Sequence, residues 1–177
     1  MRRILKKVIW ILFVIIILWI VYFLGCAHRL NKFYNYERVE KQYTWGTVSA
    51  KFLGTDINQK NLTVRGNPYE LLIGIHSKKE GTVTLLGARL HNLEKDKIIF
   101  ENNETQKSQL EYRSYDGMYR SYFSFKDLNL EYVRYKLILK FQITIEETTI
   151  EEEVELIFEK AYEEFRSNDT IDQMMSV

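Results

Sequence analysis

The chain has 177 residues, 46% of them hydrophobic and 28% charged, and its 25 Lys and Arg against 24 Asp and Glu leave a net charge of +1. That balance excludes a disordered or collagen-like chain, and a single Cys excludes an intramolecular disulfide or a Cys-based zinc site. About 136 residues follow position 41, enough for one domain.

Residues 1–7 are a basic flank carrying Arg2, Arg3, Lys6 and Lys7, and residues 8–27 form an uncharged apolar run. At roughly 0.3–0.6 kcal/mol per Ile, Leu, Val or Phe, membrane insertion of that run is favourable by about 4–8 kcal/mol. Twenty residues at helical rise span about 30 Å, a hydrocarbon core, whereas the apolar region of a cleaved signal is usually about 7–15 residues. The run therefore reads as a transmembrane signal-anchor. Its end, Phe23-Leu24-Gly25-Cys26-Ala27, resembles the lipobox of bacterial lipoproteins, which makes Cys26 the candidate lipidation site and a lipoprotein signal the competing reading. Leu24 stands where a small residue is expected and Phe23 where Leu is more usual. Clustered basic residues ahead of the helix favour an N-terminus inside, so the body is expected outside the cytoplasm, periplasmic or extracellular.

Residues 28–42 lack Gly and Pro and place Leu30, Phe33 and Tyr34 on an apolar stripe, which reads as a juxtamembrane spacer continuing the helix. From about Thr44 the period changes to two. Val48, Ala50 and Phe52 alternate with polar neighbours, as do Leu71, Ile73 and Ile75. In the next strand Val83, Leu85 and Gly87 fall on one face and Thr84, Leu86, Ala88 and Leu90 on the other, with Gly87 marking a bulge. Asp116-Gly117 is the clearest two-residue hairpin turn, because such a pair tolerates positive φ. Leu137, Leu139, Phe141, Ile143 and Ile145 then share one face of the longest strand, opposite Lys136, Lys140 and Gln142.

Beyond Thr149 two periods compete. Ile150, Val154, Ile157, Phe158 and Ala161 fit a helix, while Ile150, Val154, Leu156 and Phe158 fit a strand. Nine Glu and one Lys between 146 and 164 would place like charges one turn apart on a helix, so the strand is preferred over 150–159. The expected fold is mainly β, an antiparallel immunoglobulin-like β-sandwich over residues 43–165 behind the N-terminal transmembrane helix, with a polar tail at 166–177.

No nucleophile elbow, phosphate-cradling Gly loop, His-Glu-x-x-His or dinucleotide fingerprint is present, so no catalytic residue, cofactor or metal is assigned and the chain is not expected to be an enzyme. His76 and His91 close neighbouring candidate strands but lack a third ligand at a recognisable spacing. Asn61, Asn103 and Asn168 each open an Asn-x-Thr triplet, a mild excess over chance. Residues 42–145 carry 15 basic against 11 acidic side chains and an acidic stretch follows, which argues against nucleic acid. The segment 112–122 crowds Tyr112, Arg113, Tyr115, Tyr119, Arg120 and Tyr122 around the Asp-Gly turn, residue types enriched at protein interfaces. These six are the candidate partner contacts. The sequence thus points to a membrane-tethered extracytoplasmic binding module with a protein partner. The alternatives are a structural accessory subunit of an envelope complex, or an enzyme without a sequence signature.

Overall fold

In the computed structural model, which describes residues 2–26 and 28–168, the strand with the cleanest alternation is the most completely buried on one face. Over β10 (Tyr135–Ile145) every second side chain, including Leu137, Leu139, Phe141 and Ile143, is buried. The other elements, in chain order, are α1 (Arg2–Cys26), β1 (His28–Tyr36), β2 (Val39–Gln42), β3 (Gly46–Gln59), β4 (Leu62–Ser77), β5 (Gly81–Asn92), β6 (Lys97–Asn102), β7 (Gln106–Gln109), β8 (Glu111–Arg113), β9 (Met118–Leu128), β11 (Thr148–Phe158) and β12 (Lys160–Asn168). The chain is mainly β, in two sheets.

β11 pairs antiparallel with β10 along its whole length. The strand wins over the helix because its Glu side chains find cross-strand partners: Glu155 meets Lys136 at 3.2 Å, Glu153 meets Lys140 at 2.9 Å, and Glu151 accepts from Gln142 at 3.2 Å. On a helix the same acids would face one another. The chain reverses at Glu146 and Glu147, both at positive φ (48° and 68°), the signature of a type I′ hairpin turn. β12 continues the strand structure past Glu159, the end of the strand expected from the sequence.

β5 lies beside β10, and on its other edge β6 and β7 pair with successive halves of it. The register slips between Lys140 and Phe141, which face Gly87 and Leu85, so Leu86 is the extra residue of a bulge. The bulge resets the alternation: Val83, Leu85, Ala88 and Leu90 are all buried, where simple period two would put the first pair and the second on opposite faces.

β4 is the spine of the larger sheet. β3 pairs along it, β1 runs parallel to its first part through Leu30–Phe33 with Leu62–Arg65, and β9 runs antiparallel to its last part, Tyr69 to Ser77. β2 flanks β3, β12 flanks β1 and β8 flanks β9. The helix therefore does not continue through residues 28–42; that segment supplies two strands. Tyr36 is buried, its hydroxyl donating to the Glu131 carbonyl at 2.9 Å, so β1 contributes to the core directly.

The apolar faces of the two sheets share one core. Phe52 of the larger sheet and Phe158 of the smaller lie 4.4 Å apart between ring centroids, and Trp45 meets Phe141 edge-on at 6.0 Å. Tyr69 and Tyr135 bury their rings but keep hydrogen bonds, to the Tyr34 and Glu131 carbonyls at 2.6 and 3.0 Å. Burial, with neighbouring phenols and Glu131 adding to it, pushes both up to about 12.

Within α1 the side chains described are Lys6, Lys7 and residues 9–20, and residues 9–20 are apolar and exposed throughout. Among the described residues no helix is long and apolar enough to cross a membrane.

Candidate functional site

The hairpin β8–β9 carries all six residues singled out at 112–122, and its turn is longer than the Asp-Gly pair alone. Arg113 faces Met118, leaving Ser114 to Gly117 as a four-residue loop. Gly117 takes the positive φ (70°) and its N–H donates to the Arg113 carbonyl at 3.0 Å, while the Met118 N–H donates to the Asp116 carboxylate at 3.2 Å. That carboxylate also accepts from Arg120. Arg120 lies over the Tyr115 ring at 4.9 Å and donates to the Tyr122 hydroxyl at 3.2 Å, leaving its Nε buried and without a hydrogen-bond partner. The loop is thus folded down onto β9 by one guanidinium.

The six residues divide by face and depth. Tyr112, Tyr115 and Tyr122 are exposed at 57%, 72% and 44%. Tyr119 packs against the core, with Tyr112 beside it at 5.2 Å. Arg113 is held by Glu111 at 2.9 Å, and Arg120 is largely covered, its side chain 19% exposed.

Arg120 and Tyr122 also reach a second feature, on the outward face of the larger sheet. Pairing aligns Glu40, Ser49, Gly74 and Tyr122 in one row across β2, β3, β4 and β9, and Thr47, His76 and Arg120 in the next. A Cβ on Gly74 would lie 2.8 Å from His76 Nε2, 3.0 Å from Ser49 Oγ and 3.2 Å from Tyr122 Cε1, so three side chains close around a position with no side chain of its own. The result is a groove of about 280 Å³ with Arg38, Lys51 and Arg120 on its walls. Burial first, then the positive charges of Arg120 and Arg38, hold the His76 imidazole below its ordinary value against the opposing charge of Glu40. A larger cleft of about 350 Å³ between Tyr34, Ile57, Val64, Leu130 and Tyr132 is walled mainly by apolar side chains and brings no comparable set of polar groups together.

His76 and His91 do not converge: they sit on β4 and β5, in different sheets, and His91 approaches Asp96 at 3.5 Å. Among the described residues no group of three or more His, Cys, Asp or Glu could hold a metal ion. Asn61 is exposed at the turn between β3 and β4, and Asn103 is exposed after β6. Cys26 is the last residue of α1.

The groove was not visible in the sequence because Arg38, in the β1–β2 connection, and Lys51, His76 and Arg120, on three strands, come from four separate segments brought together by the pairing of the sheet. The nearest signal is Gly74, a residue without a side chain at an outward position of an otherwise well-patterned strand. No family model, no curated protein and no solved structure matches the chain.

Proposed function

We propose that the chain is a membrane-tethered binding module whose body lies outside the cytoplasm and meets a protein partner through the β8–β9 hairpin. The observation that carries this reading is the placement of the hairpin along β4. The first part of β4 pairs with β1, which begins just after α1 ends, while its last residue, Ser77, pairs with Tyr119 at the hairpin. Sixteen residues of strand, interrupted where Asn67 and Pro68 bulge out of the pairing with β3, separate these ends by up to roughly 50 Å, so exposed Tyr112, Tyr115 and Tyr122 lie toward the end of β4 away from the helix. Aromatic rings displayed away from a tether are well placed to meet a partner in front of the membrane.

The tether itself is supported by the uncharged run at 8–27 and by the exposure of every side chain from 9 to 20, since a helix apolar on all sides needs an apolar surrounding. An immunoglobulin-like sandwich is supported by strand order. With β3 to β11 read in succession, one sheet runs β3-β4-β9-β8 and the other β11-β10-β5 with β6 and β7 outside. That order supports the reading because it parallels the ABED and GFC sheets of that architecture, with β1, β2 and β12 added. The inter-sheet disulfide of antibody domains has no counterpart, since the chain holds one Cys.

The test is affinity capture from membrane extracts with the full chain and with a Tyr112→Ser, Tyr115→Ser double variant of matching circular dichroism and melting. Truncating an aromatic anchor costs about 2 kcal/mol, roughly thirtyfold in affinity, so a partner held by the hairpin is lost. Equal capture by both proteins refutes the hairpin. Protease added to intact cells or spheroplasts should digest the body, and digestion only after lysis refutes the topology. Intact mass separates an uncleaved anchor from processing before Cys26, which would remove residues 1–25 and add acyl chains.

A further inference from the structure

We propose that the groove over Gly74 is a binding site for an oxyanion, a carboxylate or phosphate group, held between Lys51, Arg38 and Arg120. This goes beyond the hairpin reading and does not depend on it.

Charge decides the class of ligand. Three permanent cations line the groove, against two acids that reach them: Glu40, 3.6 Å from Arg38, and Asp116, which takes Arg120. Lys51 has no ion pair or hydrogen bond among the described residues and leaves the groove with a positive excess. His76 lies in the same field: burial first, and then the charges of Arg120 and Arg38, oppose its protonation. An anion in the groove would reverse that field.

Donors match the charge. The Tyr122 hydroxyl accepts from Arg120, so its own proton is available to a ligand. Ser49 Oγ lies 3.4 Å from the Gly74 carbonyl and 3.5 Å from His76 Nε2, which fixes the floor. Size is compatible with such a group: about 280 Å³ lies at the foot of the roughly 300–1,000 Å³ range of small-molecule pockets.

The experiment uses the full chain in non-ionic detergent micelles with isotope-labelled histidine. The His76 imidazole, identified by its loss in His76→Gln, is followed at fixed pH while inorganic phosphate or acetate is added against chloride at equal ionic strength. Saturable movement at His76 toward the protonated position, with His91 unmoved, is expected with at least one of the two anions, and the one that saturates first assigns phosphate or carboxylate. The Lys51→Gln, Arg38→Gln double variant should bind about tenfold more weakly or worse, a loss of about 1.4 kcal/mol. Gly74→Ala gives a second route, because its methyl would occupy the floor 2.8 Å from His76 Nε2 and abolish saturation. The proposal is overturned if neither anion moves His76 more than it moves His91, or if both variants saturate like the parent.

Discussion

Replacing Phe141 with Ala tests whether the faces of β10 are as described. Phe141 has no exposed surface and meets Trp45 of the β2–β3 turn edge-on at 6.0 Å, with Leu85 and Glu152 as its strand neighbours. A buried aromatic ring removes at least about 150 Å² from water, worth roughly 4 kcal/mol at about 25 cal/mol per Å². Removal of such a ring from a packed core costs about 3–5 kcal/mol in practice, because the sheets close only partly over the cavity. At about 3 °C per kcal/mol for a chain of this size, the melting temperature should fall by roughly 10–15 °C. The paired control is Lys140→Ala, on the outward face, where only an exposed ion pair to Glu153 at 2.9 Å is lost. That change should stay within about 0.5 kcal/mol. Thermal unfolding of both variants, followed by circular dichroism in the same detergent, makes the comparison. A cost below about 1 kcal/mol for Phe141→Ala, or a larger one for Lys140→Ala, would mean the register of β10 is inverted and the reasoning fails.

Truncation should expose the role of the segment after the helix: a body starting at residue 28 should melt cooperatively, whereas one starting at 43 loses β1, β2 and buried Tyr36 and should not. Equal cooperativity would show that β1 is dispensable. At the β10–β11 turn, Glu146→Asn with Glu147→Gly should stabilise the fold by about 1–2 kcal/mol, since both positions hold positive φ that costs an ordinary L-residue about that much. The exposed contact from Lys79 to Glu146, 2.6 Å, offsets little of this, and an unchanged or lower melting temperature would contradict the turn assignment.

What could be read along the chain was whatever depends on neighbours in sequence. Alternation alone identified the buried face of β10, because side chains two apart in a strand share a face whatever the partner strand is. Like-charge crowding chose strand over helix after Thr149 for a reason that is also local, and the apolar run at 8–27 needs no partner to be recognised. Tertiary structure decided the rest. Residues 28–36 are a strand only because β12, closing on them from the far end of the chain, and β4 supply its hydrogen bonds; His28 faces Asn168. No local pattern in a segment reports a partner that distant. The bulge at Leu86 is a matter of register against β10, and it carried Ala88 and Leu90 onto the same face as Val83 and Leu85. The groove is the extreme case. Its four cationic or titratable walls, Arg38 before β2, Lys51 on β3, His76 on β4 and Arg120 on β9, become neighbours only when the strands are laid side by side, since pairing brings together residues between which the sequence records no relation.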